Sequence, residues 1–166
     1  MSNQSIDRPA YRYFLLALAL CGLPAEVLAF RSGPPASVNG STSSSGTSCT
    51  ICHGAAVGTG SVTILGAPAL YQPSTVYHLI VRIQDNARVG AGFQISAEGP
   101  TGTHQGTLAI TDAANTQLNT TNNRFVNHRS AGVTASVAGW AGLGNAAEYV
   151  VDWLAPATDV GPVTFW

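Results

Sequence analysis

Two cysteines and a histidine stand together in "CTICH", as Cys49, Cys52 and His53. Four chemistries use this grouping: covalent haem attachment, dithiol exchange, zinc ligation and a plain disulfide. In a c-type haem site the two thiols add to the vinyl groups and the adjacent imidazole becomes the proximal iron ligand. A thioredoxin-like dithiol needs a strand before the motif and a helix opening at it, and no such context surrounds Cys49. Zinc needs further Cys or His at ligand spacing, and the next histidine, His78, has no partner three to five residues away.

The compartment bears on the choice. "MSNQSIDRPAYRYFLLALALCGLPAEVLAF" begins with Arg8 and Arg12, continues through an apolar core from Phe14 to Leu23, and ends in the small-residue site Val27-Leu28-Ala29. This is the pattern of a secretory signal, residues 1–29, cleaved after Ala29. Pro24 and Glu26 interrupt the apolar run before the roughly 20 residues that a bilayer requires. Removal of Cys21 leaves Cys49 and Cys52 as the only cysteines. In an exported chain the bland alternative is a disulfide, which across so short a loop would remove little chain entropy. One covalent haem c, held by Cys49, Cys52 and His53, is therefore the leading expectation, with a periplasmic or cell-surface location.

The sixth iron position is less determined. The single methionine is Met1, which goes with the signal, so His/Met ligation is excluded. His128, in "RFVNHRSAG" after a short strand, is the first candidate metal ligand. His104 in a Gly/Thr turn and His78 in mid-strand follow, and an open position is the remaining alternative.

The elements that must carry these residues are short. Charged residues make up 9% of the chain, all the basic ones are Arg and the net charge is −1, so no basic surface for nucleic acid exists. Abundant Gly, Thr, Ser, Ala and Val favour strands and turns over long helices. Residues 30–60 form an extended arm carrying the motif, with 31–48, "RSGPPASVNGSTSSSGTS", lacking any hydrophobic period. Residues 61–166 form the folded domain. Strands are predicted near Ser61 to Leu65, Val76 to Gln84, Gly92 to Ala97, Gly106 to Thr111, Arg124 to Asn127, Ala147 to Trp153 and Pro162 to Trp166. Along the second, Tyr77, Leu79, Val81 and Ile83 share the core face, and His78 lies on the other, partly covered face. Ala113 to Asn123 and the Gly-rich stretch around Trp140 are predicted to be irregular. Seven short strands at this spacing predict an all-β, immunoglobulin-like antiparallel sandwich.

The segments "YQPSTVYHLIVRIQ", "AGFQISAEGPTGTHQGTLAITD", "RFVNHRSAG", "DWLAP" and "GPVTFW", in this order after "CTICHG", resemble the bacterial Reeler-like domain called choice-of-anchor V. The resemblance covers roughly residues 30–166. It implies an exported β-sandwich that commonly starts with a C-x-x-C-H, and core roles for Phe93, Trp153 and Phe165. His128 matches a histidine that domains of this kind without haem also tend to carry, so the resemblance leaves it a structural role as well. Ser74 departs from the Gly favoured by the family, and Trp166 ends the chain where the family continues through another strand, which would leave a sheet edge open to pairing with another chain.

The expected function is thus a monohaem c-type cytochrome acting in electron transfer or haem presentation, with a redox protein or a larger surface assembly as partner. The rival expectation is a structural or adhesive surface sandwich, or an extrinsic subunit, in which haem is secondary or absent. Asp112, Glu148, Asp152 and Asp159 are scattered, and no nucleophile-base-orienter set is visible, so enzymatic turnover is not expected.

Overall fold

A computed structural model describes residues 30–53, 58–119 and 124–166. The expected signal segment lies outside the described residues. A one-turn helix, α1 (Thr50–His53), follows the arm, and the strands β1 (Ser61–Leu65) and β2 (Val76–Gln84) come next. Both occupy the predicted spans, because each is an unbroken β-branched and aromatic run bounded by turn residues.

The predicted strand from Gly92 to Ala97 is divided. β3 (Gln94–Ile95) and β4 (Ala97–Glu98) flank Ser96, whose backbone N–H and C=O exchange hydrogen bonds with Trp166 at 3.1 and 3.0 Å. The chain thereby changes partner within three residues: β3 pairs with β7 (Val126–His128), and β4 pairs with β9 (Thr164–Phe165). β5 (Thr107–Ile110), β6 (Thr116–Leu118) and β8 (Ala146–Leu154) complete the strands. All pairs are antiparallel. The sheets are four-stranded, in the order β1-β2-β8-β5, three-stranded, in the order β3-β7-β6, and the two-stranded β4-β9.

These sheets enclose one core, which establishes the antiparallel sandwich. Leu79 and Val81 of β2 and Tyr149, Val151 and Trp153 of β8 meet Phe93, Ile95 and Val126 from the facing sheet, all buried. Phe93 and Tyr149 stack with ring centroids 4.5 Å apart. Trp153 is the largest fully buried side chain. It stacks on Tyr77, takes the edges of Tyr71 and Phe165, and donates its indole N–H to the Gln105 carbonyl at 3.0 Å. Gly106 makes this possible: it has φ +71°, and a Cβ there would meet the Leu154 carbonyl oxygen and the Trp153 indole nitrogen at 2.3 and 2.6 Å.

Three expectations are corrected. β6 lies inside the predicted loop from Ala113 to Asn123; it is a three-residue strand of Thr, Gln and Leu, too short to show an alternation. α2 (Ser130–Gly139) replaces the predicted irregular stretch before Trp140. Its buried positions are Gly132 and Ser136, so the face it packs is made of small residues and has no apolar period. His78 is 77% exposed in its side chain, not partly covered, and its Nδ1 lies 2.6 Å from Asp152 Oδ1 across the β2–β8 ladder.

Replacing Trp153 by Ala removes both the central aromatic and its hydrogen bond. The expected loss is about 3–5 kcal/mol of unfolding free energy, measured by urea denaturation, against a near-neutral result for a conservative change at exposed Val160.

Candidate functional site

The arm has few apolar side chains, yet it docks. Gln94, Asn127 and Gln117 are cross-strand neighbours on β3, β7 and β6. Their side-chain amides meet the arm's backbone as a further strand would. Gln94 accepts from the Val38 N–H at 2.9 Å and donates to the Pro35 carbonyl at 2.8 Å; Asn127 donates to Pro34, and Gln117 to Ser32 at 2.6 Å. Pro34 and Pro35 have no N–H to satisfy, so their carbonyls are the groups that need a donor.

Beyond Val38 the serine-rich run closes on itself. The Gly46 N–H bonds to the Ser41 carbonyl, and the Gly40 N–H to that of Thr47, with Ser45 and Gly46 at positive φ. Glu98 of β4, fully buried, binds this turn: its carboxylate accepts from the Ser43 N–H and hydroxyl at 3.0 and 2.5 Å and from the Ser96 hydroxyl at 2.8 Å. Burial alone would raise the Glu98 pKa, but the hydrogen bonds from Ser43, Ser41 and Ser96 outweigh it and hold the carboxyl below the usual range. Asn39 donates to Ser96 at 2.8 Å and extends the network.

This docking sets the motif. α1 opens directly after the serine turn, with the His53 N–H bonded to the Cys49 carbonyl at 3.1 Å. One helical turn puts positions i, i+3 and i+4 on one face, so Cys49, Cys52 and His53 come together by spacing alone. Both cysteines are free. The Cys49 thiol donates to the Val38 carbonyl at 3.4 Å, and burial pushes its pKa up, so it is a thiol at neutral pH.

All three residues border a cavity of about 1320 Å³ between the arm, the β1 end of the first sheet, the Arg88 to Phe93 loop and α2. That volume exceeds the roughly 300–1,000 Å³ of ordinary small-molecule sites. Its rim gathers large apolar side chains that are exposed: Phe30, Ile51, Val62, Val89 and Val137. Its wall includes Trp140, 3% exposed, whose indole N–H has no hydrogen-bond partner. The Arg88 to Phe93 loop is fixed through Ala91, whose N–H bonds to the Ser136 hydroxyl and whose carbonyl accepts from the Tyr149 hydroxyl at 2.6 Å.

Of the other histidines, the cavity takes in His128 alone. It is buried and both nitrogens are engaged: Nδ1 lies 2.9 Å from the Phe93 N–H and 3.0 Å from the Phe93 carbonyl oxygen, and Nε2 lies 3.2 Å from the Phe30 carbonyl oxygen. His104 lies elsewhere, in a smaller hollow with Arg124, edge-on to Phe125 and with Nε2 4.0 Å from Glu98. Burial lowers its pKa, Glu98 opposes that and Arg124 adds to it. His78 stands on the outer face of the four-stranded sheet. The scattered acids do not converge: Asp152 pairs with His78, Glu148 with Arg82, Asp112 caps the turn at Asn115, and Asp159 binds the Tyr71 hydroxyl. Among the described residues, no three His, Cys, Asp or Glu side chains form a ready metal site.

The sequence brought out the thiols and His53, but not the rim or Trp140. The signal available was the isolated apolar residues of polar, Gly-rich segments, Val89 in "ARVGAG" and Trp140 in "AGWAG".

No family matches the chain, and no curated protein does. Solved structures similar to it include the reeler domain of human F-spondin, 21% identical over 64% of this chain and 71% of that one with a TM-score of 0.47. The Reelin-N domain of F-spondin matches at 22% identity, over 64% and 67%, with a TM-score of 0.46.

Acid should loosen the arm first. Glu98 has a lowered folded pKa, so its contribution is complete above the ordinary glutamate value of about 4.3 and is lost as pH falls through the lower folded value. His104 also titrates lower when folded, so its neutral form stabilises fully above about pH 6.5 and progressively less below it. Both terms make the melting temperature fall on acidification from pH 7 to 4. Glu98→Gln should cost about 2 kcal/mol at pH 7 and flatten the lower part of that profile, with amide exchange rising earliest at Val38 to Ser44.

Proposed function

We propose that the chain is an exported β-sandwich that carries one haem c covalently on its docked arm and serves in electron transfer or haem presentation. The observation that carries this reading is the position of Cys49, Cys52 and His53, one helical turn of free thiols and imidazole, at the edge of a large, apolar-rimmed cavity.

The residues divide the work. Cys49 and Cys52 would hold the haem through two thioether bonds, each thiol S–H adding across a vinyl group with nothing lost, and His53, the residue after Cys52, would be its imidazole ligand. Arg31 and Arg88 on the rim offer cations to acidic groups of the ligand. Bound haem would supply a one-electron iron couple, tuned by axial ligand, hydrogen bonding and burial. The apolar rim would exclude water from a group bound there.

A second reading, a structural or adhesive surface module without haem, is favoured by the sheet edges. Among the described residues β1 pairs only with β2, and its Val62 and Leu65 are exposed; Val76, Val150 and Leu154 are exposed on β2 and β8. Such a module would pair with another chain through these strands.

Protein exported in a host that matures c-type haem should show a pyridine haemochrome with one haem per chain and a haem-stained band on a denaturing gel. Cys49→Ala/Cys52→Ala should abolish both while leaving the fold intact by circular dichroism. A colourless, folded wild-type protein overturns the haem reading in favour of the surface module.

A further inference from the structure

Resting on the haem reading, the geometry points to an iron whose sixth position is left by this chain to an exchangeable small ligand, so that the cavity binds a diatomic gas or a small anion as well as haem. The argument is an inventory of donors. The sequence has no Lys, and its single methionine is Met1. Cys49 and Cys52 are consumed by attachment, and His53 by the proximal position.

His78 and His104 do not border the cavity. The first is held by Asp152 on the outer sheet face, and the second lies beside Glu98 and Phe125. His128 does border it, but its ring is a structural latch. Its Nδ1 lies against the Phe93 backbone, 2.9 Å from the N–H and 3.0 Å from the carbonyl oxygen, and its Nε2 lies 3.2 Å from the Phe30 carbonyl oxygen, so both ring nitrogens are directed at backbone groups. The ring also lies flat on Gly92, where an added Cβ would fall 2.4 Å from Cε1 and 2.8 Å from Nε2. Coordination through Nε2 would require the ring to turn away from the Phe30 carbonyl and break its contacts with the Phe93 backbone. The arm and β7 are thus joined by the one histidine besides His53 that borders the cavity.

The probes are carbon monoxide on the reduced protein and cyanide on the oxidised protein, after the haemochrome has confirmed covalent haem. The expected result is a high-spin ferric spectrum in the wild type, a Soret shift that saturates with carbon monoxide, and a carbon monoxide affinity that changes by less than about threefold in His128→Gln. A low-spin wild type that is indifferent to carbon monoxide overturns the inference, and so does a His128→Gln or His128→Ala variant that gains carbon monoxide binding by about tenfold or more, the scale of losing a competing ligand. The wild-type spectrum decides the question by itself if those variants do not fold. Absence of covalent haem fails the earlier reading and this one together, whereas a low-spin haem protein fails this one alone.

Discussion

The arrangement depends on how a polar, proline-containing arm is held without a hydrophobic side of its own. A backbone carbonyl withdrawn from water as a segment docks needs a donor in exchange, and the arm's Pro34 and Pro35 carbonyls are bonded in part-buried positions. Here the donors are the side-chain amides of Gln94, Asn127 and Gln117, registered with one another because β3, β7 and β6 are registered. An amide offers both a donor and an acceptor, so Gln94 satisfies the Val38 N–H and the Pro35 carbonyl at once. Glu98 then binds the serine turn, which directs the path from Val38 to Cys49. Position at the site is set by polar contacts at the sheet, while stability is set by the separate aromatic core around Trp153.

That division explains where precision and plasticity lie. The cavity wall is made of pieces pinned individually: the Ala91 carbonyl by Tyr149, Gly92 by His128, and α2 by its small buried face. Gly132 shows how close that packing is, because an added Cβ would lie 2.3 Å from the Asn115 carbonyl oxygen. By contrast, Ile51 and His53 stand exposed on a single helical turn, which alone would be marginal in water. A rigid wall facing a weakly held turn suits a ligand that is tethered by its attachment residues and completes their ordering.

Much of the fold was legible because it rests on local rules. β1 and β2 obeyed composition and alternation, and the sorting of Leu79 and Val81 to the core followed from period two. What was illegible depended on partners distant in sequence. Ser96 divides its strand because Trp166 arrives beside it. α2 packs glycine and serine, so its buried face carries no hydropathy signal, and β6 is strand because β7 supplies its ladder. The arm looked like a linker for the same reason: its docking is written in Gln94, Ser96 and Glu98, residues that a reading of the arm alone never meets. For the site, spacing brought Cys49, Cys52 and His53 together, but the bonds on His128 come from Phe30 and Phe93, one nearly a hundred residues away.

The two functional readings meet in one physical problem, the apolar rim. In a chain with 9% charged residues, large aliphatic side chains exposed at random would attract no comment. Phe30, Ile51, Val62, Val89 and Val137 come from five separate segments and border one cavity. Cover over such a rim is favoured by about 25 cal/mol for each Å² of apolar surface removed from water, and an uncovered rim promotes association. A flat apolar cofactor bound at Cys49 and Cys52 would cover it from inside the cavity; a partner strand at β1 would reach Val62 and leave the Val137 and Phe30 side open. On the proposed haem reading the covering group would enter the cavity, where the two thiols and the imidazole stand at its edge, whereas on the surface-module reading a partner would have to extend past β1 to reach the Val137 and Phe30 side.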